Sequence, residues 1–276
     1  MSIAPNRPAL RWHGGKWTLA PWIIAHFPPH RVYVEPFGGA MSVLLRKRRA
    51  YAEIYNDLDD EVVNLFRVLR GPRADELVNL LRLTPFARTE FVDAGGAVEC
   101  EVERARRLIV RSFMGFGSNG HNRCTGFRAN SNRSHTTPAH DWANYPDSLA
   151  RIVARLRTVV VENRDAKAVM QAHDSGETLH YVDPPYVLST RGDPSKDYAH
   201  EMTDGDHAEL LAFLQTLKGA VVLSGYASPL YDGMLADWRR VERKAMADGA
   251  RHRVEVLWLN ANAGGQSMLF AQEAAQ

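Results

Sequence analysis

Hydrophobic positions along the chain follow two periods in turn. Short runs rich in Val, Ile, Leu and Tyr fall at 32–35, 51–55, 158–162, 178–183 and 220–224, which is the length and composition of strands buried in a parallel sheet. Among them, apolar residues recur at helical spacing over 42–49, 166–172, 206–217 and 230–238. Two further runs, 239–245 and 254–259, read as a closing antiparallel pair. Strands and helices in alternation predict an α/β fold with a mainly parallel sheet and a ligand at the carboxyl ends of its strands. Between 61 and 157 the pattern changes and the spacing becomes helical, at 61–70, 74–83, 98–113 and 147–157. A mostly helical insertion over 61–157 is therefore expected to interrupt a sheet domain made of 1–60 and 158–276.

The junctions between these runs carry the candidate chemistry. Val32-Tyr33-Val34-Glu35 passes at once into Pro36-Phe37-Gly38-Gly39-Ala40 and then into a helix. Strand, glycine turn and helix make a nucleotide-binding unit, because glycine lets the backbone approach a ligand and the helix start offers free N–H groups. The turn has neither the full dinucleotide fingerprint nor the Gly-Lys-Ser/Thr of a phosphate loop. The second strand ends at Asn56-Asp57, where an acid about twenty residues after the turn can accept the ribose hydroxyls of an adenosine. Asp57 can equally cap the next helix, although Asp59 and Asp60 are also placed to do so. The run at 178–183 ends in Asp183-Pro184-Pro185-Tyr186. The prolines fix φ and remove N–H donors, and the residue before each is held extended. The result is a stiff rim with a carboxylate, an outward carbonyl and a flat ring, which suits an amino group on a planar heterocycle. An ordinary strand-ending turn is the other reading.

Composition changes the picture in one place. Apolar content of 45% is ordinary for a globular protein. Cys100 and Cys124 lack metal-ligand spacing and predict a reducing, cytoplasmic setting. Residues 1–10 show no apolar leader, and no apolar run approaches the ~20 residues of a membrane span, so neither secretion nor membrane insertion is expected. Net charge is only +2, yet 104–140 holds seven arginines and no Lys, Asp or Glu, which leaves the remainder at −5. Such asymmetry predicts a face that binds a polyanion, with a merely solvated basic face as the alternative. Within it, 115–133 interleaves Gly, Asn and Arg with Phe. Arg and Asn pair bidentately with guanine and adenine edges, which makes Asn119, Arg123, Arg128, Asn130 and Arg133 candidate DNA contacts. The separate histidines His13, His180 and His207 are expected in the core or on the surface.

Taken in order, these stretches resemble the Dam-like DNA adenine-N6 methyltransferases. Arg11-Trp12-His13-Gly14-Gly15-Lys16 is similar to that family's N-terminal cofactor motif, and Glu35-Pro36-Phe37-Gly38-Gly39-Ala40 to its first sheet motif. Asn56-Asp57 resembles its ribose-binding acid, Asp183-Pro184-Pro185-Tyr186 its catalytic tetrapeptide, and Glu255-Val256-Leu257-Trp258-Leu259-Asn260 its final strand. The resemblance implies a Rossmann-like methyltransferase sheet, S-adenosylmethionine as donor, no metal, and adenine flipped out of double-stranded DNA as acceptor. It implies Trp12, Lys16, Pro36, Phe37, Gly39, Asp57, Asp165 and Asp183 at the cofactor, and Asp183, Pro184 and Tyr186 at the target base. Arg11 joins the loop residues on DNA, and 61–157 corresponds to the target-recognition insertion. A cytoplasmic protein, bacterial or phage-encoded, follows, monomeric or weakly dimeric, with a restriction endonuclease as candidate partner. An RNA or protein-glutamine N-methyltransferase and an inactive DNA-binding relative are alternatives on the same fold. The acid at 183 and the arginine-rich insertion favour DNA; Trp12, Lys16, Asp57 and Asp183 together favour activity. One position departs from the family pattern: Met41 stands where the turn usually ends in a glycine, so the helix is expected to shift slightly or Gly38 to relax the turn.

Overall fold

The computed structural model of the protein describes residues 4–117, 125–130, 136–191, 198–246 and 252–264. Its first elements are α1 (Ala20–Ile24), β1 (Val32–Glu35), α2 (Ser42–Arg46) and β2 (Ala52–Asn56). A helical stretch follows, with α3 (Asp60–Arg70), α4 (Ala74–Leu83), α5 (Arg88–Asp93), α6 (Glu101–Met114), α7 (Pro138–Ala143) and α8 (Tyr145–Leu156). Alternation then resumes with β3 (Val159–Glu162), α9 (Ala166–Ala172), β4 (Thr178–Val182), α10 (Asp204–Leu214), β5 (Ala220–Gly225) and α11 (Pro229–Met234). The pair β6 (Arg239–Met246) and β7 (His252–Leu259) and the short α12 (Ala261–Gly264) close the described chain.

The seven strands form one sheet in the order β3-β2-β1-β4-β5-β7-β6. β1 runs parallel to β2 and β4, and β4 parallel to β5. β7 is antiparallel to both β5 and β6, as the two final apolar runs predict. The Rossmann-like reading of the alternation therefore holds. The helices α1, α5 and α7, of five, six and six residues, were not expected. Each is too short to display an apolar period, whereas α3, α4, α6 and α8 show one clearly. Asp59 caps α3, its side chain accepting from the Glu61 N–H at 3.0 Å, and Thr203 and Asp206 form a capping box that starts α10 at Asp204.

The chain divides into two compact units. One comprises Met1–Trp17, Gly39–Arg46 and Asp59–Val161, and the other Thr18–Gly38, Lys47–Leu58 and Glu162–Gln276. In the second unit strand side chains alternate between faces. Val34, Ile54, Val182, Val221, Leu223, Val256 and Trp258 pack with apolar residues of α9 and α10. Tyr33 and Tyr181 point the other way and meet Phe27, with ring centroids 5.8 and 5.7 Å from it. In the first unit aromatic side chains carry polar tips to backbone partners. Trp142 donates to the Thr84 carbonyl at 2.7 Å and Tyr145 to the Ala9 carbonyl at 2.6 Å.

Candidate functional site

Parallel strands bring their carboxyl ends to one edge of the sheet. In the second unit Asn56, the last residue of β2, ties that edge together. Its buried amide donates to the carbonyls of Pro36 (2.9 Å) and Arg164 (3.0 Å) and accepts from the Arg164 N–H (2.9 Å). Its own carbonyl accepts from the Gly38 N–H at 2.8 Å. The one signal of Asn56 in the sequence is an uncharged polar residue closing an apolar strand, beside the more conspicuous acid Asp57. Asp57 follows, half-buried, with its carbonyl accepting from the Asn163 side chain at 2.8 Å. Phe37 is half-buried against the core, and Pro36 is buried. Gly38 has no room for a side chain, since a Cβ there would come within 2.1 Å of the Tyr55 ring. Asp165 is exposed and caps α9, accepting from the Ala168 N–H at 2.9 Å.

Asp183 leaves the end of β4 half-buried, between the buried Val182 and Pro184. Burial first, with the Asp183 charge as a further cause, pushes the phenols of Tyr181, Tyr186 and Tyr231 above their ordinary range. Tyr181 also feels Glu35 and Glu255, and Tyr186 feels Glu255 more than it feels Asp183. Hydrogen bonds keep these groups in place. Tyr181 pairs with the Ser224 hydroxyl at 2.9 Å, Tyr231 with the buried His207 Nδ1 at 3.0 Å, and Tyr33 donates to Glu35 at 2.7 Å. The Tyr186 phenol donates to Glu255 Oε2 at 2.8 Å. Glu35, Ser224 and Glu255 are neighbours of the corner that no spacing in the chain announces, because they come from β1, β5 and β7.

In the first unit a second set of expected residues comes together. The Gly15 N–H bonds back to the Trp12 carbonyl at 3.1 Å, and Lys16 is buried with Nζ donating to the Gly14 carbonyl at 2.7 Å. Gly39 has φ of 44°, and a Cβ there would lie 2.7 Å from Trp12 Nε1, so the indole lies directly against the glycine. Met41 has φ of 57° and is wholly buried. A left-handed backbone costs a residue with a Cβ ~1–2 kcal/mol, so the departure at Met41 is a matter of backbone conformation: the position asks for glycine and holds methionine. Arg11 makes two backbone bonds to the Ser112 hydroxyl, each of 2.8 Å, and its guanidinium reaches the Gly115 carbonyl at 3.5 Å.

The expected basic face is corrected along α6. Arg104 binds Asp60 and Glu61 at 2.6 and 2.7 Å, and Arg106 binds Glu103 and Glu90 at 2.7 and 3.0 Å. Arg107 binds Glu103 at 2.8 Å, and Arg111 donates to the Ala94 carbonyl at 2.8 Å. All four carboxylates lie outside the acid-free stretch in sequence: Glu103 just precedes it on α6, while Asp60, Glu61 and Glu90 come from α3 and α5. Arg128 is buried, 3.7 Å from Asp141, rather than displayed on a reading loop, while Asn130 is exposed. Asn119, Arg123 and Arg133 lie outside the described residues. Among the described residues no group of three His, Cys, Asp or Glu is arranged to hold a metal ion, and no helix is long and apolar enough to cross a membrane.

Residues 12–247 match the family described as D12 class N6 adenine-specific DNA methyltransferase. The chain is 22% identical over 231 residues to the modification methylase LlaI of Lactococcus lactis subsp. lactis, a match covering 79% of this chain and 36% of that enzyme. It is 36% identical over 88 residues to the DNA adenine methylase of Serratia marcescens, covering 32% of this chain and 30% of the relative. Over 77 residues it is 36% identical to the DNA adenine methylase of Escherichia coli K12, covering 28% and 27%. The matched stretches thus span about a third of the length of these curated relatives or less.

Proposed function

The chain belongs to the D12 class of N6 adenine-specific DNA methyltransferases, and from that premise we propose that it methylates N6 of adenine in double-stranded DNA, with S-adenosylmethionine as donor. The observation that carries the reading is the Asp183-Pro184-Pro185-Tyr186 corner, held at the carboxyl end of a central parallel strand with its acid amid three buried phenols.

The residues fit the donor. Asp57, at the end of β2, suits ribose hydroxyls, while Pro36, Phe37 and Asp165 carry the same cofactor assignment at neighbouring strand ends. Trp12 and Lys16 carry it from the N-terminal motif and Gly39 from the first sheet motif, with a glycine backbone that the indole keeps closely covered. When bound, the cofactor supplies a methyl group already activated by a sulfonium charge. The protein's task is therefore alignment and charge placement. Asp183 and the Pro184 carbonyl each accept one hydrogen of the adenine amino group, which turns the nitrogen lone pair out of conjugation and toward the methyl. Negative charge at Asp183 stabilises the positive charge that develops on that nitrogen, and Asp183 is the acceptor for the proton it then loses. Tyr186 offers its ring to the base, which must leave the stack because N6 is enclosed in the duplex. Arg11 and Asn130 are proposed DNA contacts, together with Asn119, Arg123 and Arg133.

Incubation of the purified chain with labelled S-adenosylmethionine and duplex DNA tests the reading. Label is expected as N6-methyladenine at one short sequence, and methylome sequencing of an expressing host identifies it. Label in RNA or protein alone would overturn it.

A further inference from the structure

Glu255 lies in β7 just before four buried hydrophobic residues, Val256 to Leu259, and only 8% of it is exposed. Burying a carboxyl group is costly unless its oxygens are hydrogen-bonded. The Tyr186 phenol supplies one such bond, at 2.8 Å. Burial first, and then the charges of Glu255 and Asp183, keep that phenol protonated well above its ordinary range, so it remains a donor. The rest of Tyr186 is held just as closely. Its carbonyl accepts from Arg191, which Glu201 in turn binds at 2.8 Å. The Tyr226 ring meets the Tyr186 ring edge to face, with centroids 4.6 Å apart and an interplanar angle of 79°.

We propose that Glu255 is a positioning residue for methyl transfer, which fixes the plane of the Tyr186 ring through the phenol hydrogen bond. The inference rests on the proposed contact of Tyr186 with the acceptor base. A ring anchored only at Cα and Cβ turns about its side-chain bonds, whereas one held also at its hydroxyl presents a single plane. Misplacement by an ångström at a group that aligns reactants can cost on the order of 10²-fold in rate.

The test measures single-turnover methyl transfer, cofactor affinity and thermal melting for Glu255→Leu, Glu255→Gln, Tyr186→Phe and the Glu255→Leu/Tyr186→Phe double variant. Asp183→Ala runs alongside. Glu255→Leu is expected to lower the single-turnover rate by ~10–100-fold with cofactor affinity within about two-fold. Glu255→Gln retains an oxygen acceptor and recovers most of the rate. Tyr186→Phe falls as far as Glu255→Leu, and the double variant falls no further, because both changes remove one interaction. A wild-type rate in Glu255→Leu, a Gln variant as slow as Leu, or a double variant whose loss is the product of the two overturns the inference. If Asp183→Ala abolishes transfer while Glu255→Leu leaves it intact, only the role of Glu255 is lost. If Asp183→Ala remains active, the reading of the corner itself fails.

Discussion

Asp183 and Arg106 are both ionisable side chains set against buried surface, and the groups named around them differ in kind. Arg106 is met by carboxylates on its own helix and on α5, at 2.7 and 3.0 Å, so its charge is neutralised where it stands. Asp183 acts on three phenols, from β4, the corner and α11. A cation matched within its own unit projects little field beyond it and contributes mainly to folding. An acid beside buried phenols adds to what burial already does, and helps hold them protonated. Charge counted along a chain therefore measures neither case, because what matters is the company the fold supplies.

The largest test of this contrast is chemical. Asp183→Ala is expected to cut methyl transfer by ~10³-fold or more while the melting temperature moves by only a few degrees; an active variant would remove the distinction. Arg106→Leu should do the reverse, costing about 1–3 kcal/mol of stability with no change in the salt dependence of DNA binding. A shallower salt slope in that variant would mean that α6 contacts phosphate after all. Arg123→Ala, by contrast, should reduce the slope by about one, read from affinities over a salt series.

Acid separates the two regions more gently. Burial holds His180 and His207, in the second unit, below their ordinary value of 6.5. The unfolded chain then binds more protons, so stability falls as pH drops below 6.5 and continues to fall until the folded values are passed. Glu103, on α6, is held below its ordinary 4.5, first by the Arg106 hydrogen bond and then by Arg107. Its contribution is complete above 4.5 and is lost as pH falls through its folded value. Hydrogen exchange over descending pH should accordingly show β4 and α10 loosening before α6. Simultaneous loosening would show that the histidines do not control the acid response.

Much of the fold was legible because its signals are local. Val32–Glu35 and Ala166–Ala172 have the observed bounds in the sequence pattern, and Ala74–Leu83 is equally plain. The corner was legible for a related reason: two prolines dictate backbone geometry without help from elsewhere. Asn56 and Glu255 were not, since a staple between three strand ends and a bond across the sheet exist only after strands pair. The same limit explains the misread arginines, whose partners Asp60, Glu61 and Glu90 return from other helices. Met41 is an intermediate case, where the residue signalled a departure and only φ showed its nature. Met41→Gly should relieve ~1–2 kcal/mol of backbone cost but forfeit more in buried contact, for a net loss of about 1–3 kcal/mol on melting.

The pairing of β1 with β4 has a consequence for how the chain is made. Val32 lies against Thr178 in the finished sheet, so β1 can meet that neighbour only after the intervening residues have been synthesised. β2, by comparison, follows β1 within one short crossover and pairs with it from Val32 against Ala52. Closing the longer loop costs on the order of 2 kcal/mol more in chain entropy than closing the shorter one. The helices α3 to α8 emerge from the ribosome before β4 exists, and their contacts with one another are closer in sequence. Nascent chains should therefore acquire protected helices while β1 and β2 still wait for the strand that carries the corner.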